Sequence, residues 1–160
     1  VKTYLIAFLF FIFLPLGVES KEGWREEPFY GKGRKYTLEQ FKDKDVILVF
    51  YATWCRYCEK ELPQIANLKR LIKDPRLAII PVSVDFEPDQ SLKHFLRKNM
   101  AENLPLYVDM SGKFARRLGV NTIPSIFLIK KDSAIISEPY YSLGDIDSDF
   151  FAKYLKNEKE

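Results

Sequence analysis

The two cysteines of the chain, Cys55 and Cys58, are separated by two residues, a spacing that suits thiol-disulfide exchange. The apolar run VILVFY (46–51) precedes them and a helical apolar pattern follows, so the pair is predicted to open a helix after a buried strand. The positive end of that helix, together with the neighbouring Arg56, is expected to lower the pKa of Cys55 below its usual value of about 8.5. Cys55 is therefore predicted to be the nucleophile.

Cys58 is expected one helical turn deeper on the same face, where its thiol can attack a mixed disulfide on Cys55 and release the partner. A static disulfide, half of a metal site and two inert thiols are the structural alternatives. A disulfide across two residues adds little entropic stabilisation. The only histidine is His94, so a closed Cys/His zinc site lacks its fourth ligand, and Glu59 after Cys58 excludes haem attachment of the CxxCH kind. We expect no metal and no cofactor besides the redox-active pair.

The composition limits the chain to one ordinary globular domain. Its 160 residues are 47% hydrophobic and 15% aromatic, enough to bury a single core and too apolar for disorder. Lys and Arg total 25 against 22 Asp and Glu, and these charges are not gathered into a basic block. No nucleic-acid partner is therefore expected.

Residues 3–18 (TYLIAFLFFIFLPLGV) form an uncharged apolar segment. A helix of this length reaches only about 24 Å, whereas a bilayer core is about 30 Å thick. Val18 and Ser20 are small enough for signal peptidase, which favours cleavage before Lys21. Residues 1–20 are thus predicted to be a signal peptide or an N-terminal membrane anchor, with a buried core helix as the alternative. Under either of the two favoured predictions, the domain is exported to an oxidising compartment. It contacts the membrane only through residues 1–20, if these are retained.

The remaining chain is predicted to consist of a polar lead-in or linker at 21–35 and an ordered domain at 36–160. Thr37 and Gln40 fit a capping box that opens a short helix. Apolar patterns predict strands over 46–51, 77–84, 106–108, 125–129 and 134–137, and helices over 59–73, 92–96, 111–118 and 146–154. This order predicts an α/β domain whose central sheet is parallel at first, closed by an antiparallel hairpin, and covered by helices on both faces.

Two prolines fall inside predicted elements. Pro63 is expected to kink the helix that follows the cysteines. Pro81 cannot donate a backbone hydrogen bond, so the strand over 77–84 is expected to present it at an edge or at a bulge.

Four segments of the chain resemble the thioredoxin superfamily, and within it the exported TlpA/ResA-type thiol-disulfide oxidoreductases. They are VILVFYATWCRYCEKELPQI (46–65), VSVD (82–85), YVDMSGKFARRLGV (107–120) and NTIPSIFLIKKD (121–132). The resemblance spans about residues 36–155 and implies a thioredoxin-like fold. It also implies a cis peptide bond between Ile123 and Pro124 that faces the cysteines and offers the Ile123 backbone to substrate, with an ordinary trans proline as the alternative.

Further site residues follow from the same resemblance. Trp54 is expected to shield the disulfide and to line the surface where substrate docks. Glu61 matches a carboxylate that family members carry after the second cysteine, and it can relay or withhold a proton at Cys58. The alternative for Glu61 is a solvated carboxylate near Lys60.

The sequence departs from the family pattern at three places. Arg56 and Tyr57 replace the usual proline-containing dipeptide, which tunes the redox potential, so the direction of electron flow stays open. Val49 stands where thioredoxins carry an acidic residue. Ala52 stands where a peroxidatic cysteine would need a threonine, so a peroxidase is not expected.

The resemblance implies an extracytoplasmic oxidoreductase, in the bacterial periplasm or on the outer face of the cytoplasmic membrane. We expect a reductase of protein disulfides, such as those of apocytochromes c or copper-site assembly proteins, that a membrane thiol electron donor keeps reduced. A disulfide oxidant or isomerase, which Arg56 favours, is the second hypothesis. A non-catalytic thioredoxin-fold binding or assembly module is the third.

Overall fold

A computed structural model describes residues 23–86, 89–132, 137 and 139–155 of the chain. The strands are β1 (Phe29–Gly31), β2 (Arg34–Tyr36), β3 (Asp45–Tyr51), β4 (Leu77–Ser83), β5 (Tyr107–Val108) and β6 (Ser125–Ile129). The helices are α1 (Cys58–Leu71), α2 (Asp89–Lys98), α3 (Lys113–Arg117) and α4 (Ser148–Leu155), with 3₁₀ turns at Trp24–Glu26, Leu38–Phe41 and Leu143–Asp145. None of the helices within these ranges is both long enough and apolar enough to cross a bilayer.

The six strands form one mixed sheet in the order β2-β1-β5-β4-β3-β6. β3, β4 and β5 are parallel, whereas β6 runs antiparallel to β3, and β1 runs antiparallel to both β5 and β2. In register, Tyr51 is level with Ser83, and Ser83 is level with Val108. The carboxyl ends of the three parallel strands therefore meet at one edge of the sheet, and the segments that follow them are neighbours.

Strand β3 is buried along its whole length because helices cover both faces of the sheet. Ile47, Val49 and Tyr51 pack in one core cluster with side chains of α1 and α2. The residues of β3 that alternate with these three pack in a second cluster, with side chains of α3 and of the first two 3₁₀ turns. They are Val46, Leu48 and Phe50. The predicted α/β, thioredoxin-like arrangement is confirmed.

The prediction that residues 21–35 are a lead-in or linker outside the domain is wrong where the structure shows strands β1 and β2. β1 and β2 form a hairpin, and Phe29 on β1 is fully buried. The connecting residues Lys32 and Gly33 both have positive φ, at 49° and 71°, as a tight two-residue hairpin turn requires. The glycines and charged residues that suggested a linker therefore belong to a short hairpin at the edge of the sheet. The predicted export segment, residues 1–20, lies outside the described residues.

The predicted capping box at Thr37 does not form. Thr37 does precede the turn Leu38–Phe41, but its side chain makes no capping hydrogen bond there. The turn is a single 3₁₀ turn closed by the bond from the Gln40 N–H to the Thr37 carbonyl, at 3.3 Å. A capping box would bond the Gln40 N–H to the Thr37 hydroxyl, and the Thr37 carbonyl already accepts from that amide.

The two prolines are accommodated in different ways. Helix α1 continues through Pro63. Pro81 is level with Val49 on β3, while β5 pairs only with Val82 and Ser83 among the described residues. At Pro81, β4 therefore has a neighbouring strand on one side only, which confirms the predicted edge position.

The C-terminal part agrees with the predicted elements where it is described. Of the expected strand over 134–137, residues 134–136 lie outside the described residues. Ser137 donates its N–H to the Leu128 carbonyl at 3.1 Å, and Tyr140 forms an antiparallel bridge with Ile126, so the chain returns along β6. Helix α4 begins at Ser148, two residues later than the predicted helix.

Candidate active site

Cys55 and Cys58 lie at the junction of β3 and α1, as the sequence predicts. Cys58 is the first residue of α1, and the two cysteines form a disulfide with their Cα atoms 5.3 Å apart. Cys58 is fully buried, whereas 6% of Cys55 is exposed. The Cys58 N–H points at Cys55 Sγ from 3.2 Å, so the first amide of the helix contacts that sulfur. Solvent thus reaches only Cys55.

A second backbone segment approaches the same sulfur from β6. The Ile123–Pro124 peptide bond is cis, as the resemblance implies, and the trans alternative is wrong. The Ile123 carbonyl oxygen lies 3.6 Å from Cys55 Sγ. The approach follows from the topology, since Pro124 immediately precedes β6 and β6 pairs with β3, the strand that leads to Cys55.

Three side chains around the pair project into solvent: Trp54, Arg56 and Tyr57. Trp54 is 73% exposed, an unusual state for a tryptophan. Its expected roles, shielding the disulfide and lining the surface where substrate docks, stay predictions. Because Arg56 is also exposed, water and salt screen its charge, so its influence on the sulfur is weak.

Glu61 is buried in α1, so the alternative of a solvated carboxylate is wrong. One of its oxygens accepts a hydrogen bond from Ser142 Oγ at 3.0 Å, and the other accepts from the Leu143 N–H at 2.9 Å. Glu61 therefore ties α1 to the segment that leads into α4. Its role in proton transfer at Cys58 stays a prediction.

Thr53 and Asp85 form a link in the site that the sequence interpretation missed. Asp85 is buried, and its carboxylate accepts from the Thr53 N–H and from Thr53 Oγ1, both at 2.9 Å. It also accepts from Ser83 Oγ at 2.6 Å. The sequence did contain a signal for this link. Asp85 is an acidic residue two positions after the buried strand β4, at the same edge of the sheet where β3 leads to Cys55. This link fixes the loop that carries Cys55.

The interior beneath the disulfide is apolar and disfavours charge. Val49 and Ala52 are fully buried there. Burial raises the pKa of Tyr51, and the negative charge of Asp85 adds to the shift. In the part of the chain that the structure describes, no three His, Cys, Asp or Glu side chains are grouped as a metal site. The chemistry that these residues support is sulfur exchange at Cys55.

Comparison with known proteins identifies the family of the chain. Residues 26–137 match the AhpC/TSA family. The thiol-disulfide oxidoreductase ResA of Bacillus thuringiensis subsp. konkukian is 35% identical over 125 residues, which cover 78% of this chain and 69% of that protein. The chain is also similar in structure to StoA from Bacillus subtilis, with a TM-score of 0.56, 22% identity and coverage of 71% of this chain and 90% of StoA.

A second solved structure is the exposed lipoprotein thioredoxin Etrx1 of Streptococcus pneumoniae. Its TM-score is 0.62 at 24% identity, with coverage of 81% of this chain and 97% of that one. At these identities, the two structures support the fold, while the ResA match supports the family. The chain therefore belongs to the AhpC/TSA family within the thioredoxin superfamily, and it is a thiol-disulfide oxidoreductase related to ResA.

Proposed function

We propose that the protein is an exported reductase of protein disulfides in which Cys55 attacks the substrate and Cys58 resolves the mixed disulfide. The observation that carries this proposal is the asymmetry of the pair. Cys55 is partly accessible and contacts two backbone groups, whereas Cys58 is sealed beneath it. An incoming substrate sulfur can thus meet only one member of the pair.

Each step of the exchange forms one disulfide bond and breaks another. In the reduced protein, the Cys55 thiolate attacks one sulfur of the substrate disulfide, whose other sulfur leaves as a thiolate and takes up a proton. The Cys58 thiol then loses its proton and attacks the Cys55 sulfur, which breaks the mixed disulfide and releases the second substrate thiol. Two electrons pass to the substrate, and the Cys55–Cys58 disulfide remains. We assign Glu61 to withholding or relaying the Cys58 proton, and the exchange needs no bound cofactor.

The surroundings of Cys55 favour reduction of substrates over their oxidation. A strong disulfide oxidant owes its high potential to a strongly stabilised thiolate. Here, the Cys58 N–H stabilises an anionic sulfur, but the negative end of the Ile123 carbonyl at 3.6 Å opposes it. Arg56 is exposed and adds little. These opposing contacts support a potential in the thioredoxin range.

Location and partners follow from the same proposal. The apolar segment 3–18 favours export, and one structural relative is described as an exposed lipoprotein. In an oxidising compartment a reductase needs a continuous supply of electrons, so we propose a membrane thiol donor. Protein disulfides are the substrate class, with those of apocytochromes c or copper-site assembly proteins as the first to test. No nucleic-acid partner is proposed.

Reduction of insulin tests the proposal. The reduced protein should separate the two insulin chains faster than the same concentration of dithiothreitol, and Cys55→Ser should abolish that advantage. Cys58→Ser should accumulate a covalent complex with insulin that excess dithiothreitol cleaves, because Cys58 is absent from the second step. Retention of the native rate by Cys55→Ser would overturn the mechanism. Retention of function in cells by the double Cys55→Ser, Cys58→Ser variant would favour the binding module.

A further inference from the structure

Trp54 and Phe86 are two exposed aromatic side chains joined through one hydrogen-bonded pair. Trp54 directly follows Thr53, and Phe86 directly follows Asp85. Thr53 and Asp85 are held together by two hydrogen bonds of 2.9 Å each. Phe86 is 84% exposed and Trp54 is 73% exposed. Both aromatic residues therefore lie at the edge of the sheet where the disulfide is found.

The segment that carries Phe86 is firmly attached to the sheet. The Val84 N–H donates to the Tyr51 carbonyl at 2.9 Å, and the Asp85 N–H donates to Ser83 Oγ at 3.0 Å. Asp85 itself is 3% exposed. These bonds hold the two residues that precede Phe86, and the Phe86 side chain itself lies in water. Large aromatic side chains exposed at the edge of a sheet that carries a reactive sulfur are typical of a surface that binds another molecule.

We propose that Trp54 and Phe86 form an apolar platform beside Cys55 that binds an apolar side chain next to the substrate cysteine, and that Phe86 sets this preference. The inference rests on the proposed function in taking protein disulfides as substrates. The reaction itself identifies the occupant, because the substrate must bring its sulfur to Cys55 and so place the neighbouring residues over Trp54. An aromatic pair gains most by covering apolar surface.

Two disulfide-linked peptide dimers test the preference in the 160-residue chain. One peptide carries leucines on both sides of its cysteine, and the other carries serines. The wild-type protein should reduce the leucine dimer with a kcat/KM about tenfold higher, mainly through a lower KM, since well-packed contacts at an interface are commonly worth that factor. Phe86→Ala should remove most of the preference, and Phe86→Leu should retain much of it.

Leu71→Ala provides the matched control. Leu71 is also an exposed large apolar residue, but it ends α1, about 20 Å along the helix from Cys58. This variant should keep the wild-type preference. Equal rates on both dimers, or a preference that Phe86→Ala leaves intact, would overturn the platform while reductase activity remains. Failure of the wild-type protein to reduce either dimer or insulin would instead overturn the proposed function.

Discussion

At the scale of single residues, the reaction depends on the unequal placement of two sulfur atoms. Cys55 Sγ meets the Cys58 amide on one side and the Ile123 carbonyl on the other, while the Cys58 side chain faces the core. The CxxC spacing and the preceding apolar run are sufficient to predict this pair. The contact with Ile123 was available only through the family resemblance, since no local pattern brings residues 68 positions apart together.

Tyr51 gives a prediction on the pH dependence of stability. Burial, and then the charge of Asp85, raise the pKa of Tyr51 in the folded state. Below about pH 10 the hydroxyl is neutral in both states, but above it the unfolded chain loses this proton while the folded chain keeps it. The free energy of unfolding should therefore fall with rising pH there, by up to about 1.4 kcal/mol per pH unit from this group.

Tyr51→Phe should remove that part of the alkaline decline. It also deletes a buried hydroxyl that has no hydrogen-bond partner among the described residues, so at pH 8 the variant should be as stable as the wild type or more stable by about 1–2 kcal/mol. Urea unfolding at pH 8 and pH 11 measures both effects, with the half-exposed Tyr30→Phe as the control for loss of a tyrosine. An identical alkaline decline in Tyr51→Phe and the wild type would contradict the assignment.

At the scale of elements, Glu61 joins α1 to the turn Leu143–Asp145 and so to the C-terminal helix. Glu61→Gln replaces one accepting oxygen with an NH₂ group, which then faces either Ser142 Oγ or the Leu143 N–H. The amide can donate to Ser142 Oγ while its oxygen accepts from the Leu143 N–H, but both hydrogen bonds lose the carboxylate charge that strengthens them. The free energy of unfolding should therefore fall by about 1–3 kcal/mol. Glu59→Gln removes only an exposed ion pair with Lys98 and should cost less than about 1 kcal/mol.

The same variant separates the anchoring role of Glu61 from a role in proton transfer. If Glu61 controls the Cys58 proton, Glu61→Gln should also shift the pH profile of insulin reduction. Loss of stability with an unchanged pH profile would leave Glu61 as an anchor alone. Equal unfolding free energies for Glu61→Gln and Glu59→Gln would contradict even the anchoring role.

The elements most accessible from sequence are those with long apolar patterns. β3 and α1 fall close to their predicted bounds because each packs a continuous apolar face. The link between Thr53 and Asp85 escaped notice because it joins two loops through side-chain hydrogen bonds that leave no periodic trace. The capping prediction at Thr37 is wrong although its residue types are present, because the Gln40 N–H bonds to the Thr37 carbonyl and not to the Thr37 side chain.

At the scale of the whole molecule, the N-terminal hairpin completes the core that supports the site. Phe29 on β1 stacks on Phe114 of α3, with ring centroids 5.5 Å apart, and meets Tyr107 of β5 edge to face at 5.1 Å. Buried Glu27 adds a tie to α3 through an ion pair with Arg117. Strands of three residues with glycine at the turn carry no readable period, so the sequence pattern placed this hairpin outside the domain.

Truncation of Phe29 tests whether the hairpin belongs to the core of the domain. Phe29→Ala should lower the free energy of unfolding by about 3–5 kcal/mol, as truncation of a buried phenylalanine does. Tyr30→Ala, on the same strand but 40% exposed, should cost much less. Denaturant unfolding of both variants makes the comparison. Similar small losses would mean that β1 is not part of the core and would restore the predicted linker.

The reduction potential of the Cys55–Cys58 pair tests the proposed direction of electron flow most directly. Equilibration of the protein in defined mixtures of reduced and oxidised dithiothreitol gives the value from the fraction of free thiol at each ratio. The balance of contacts around Cys55 predicts a potential near or below about −250 mV, in the range of thioredoxin. A value near about −120 mV, in the range of a strong periplasmic oxidant, would contradict the reductase and identify the protein as a disulfide donor.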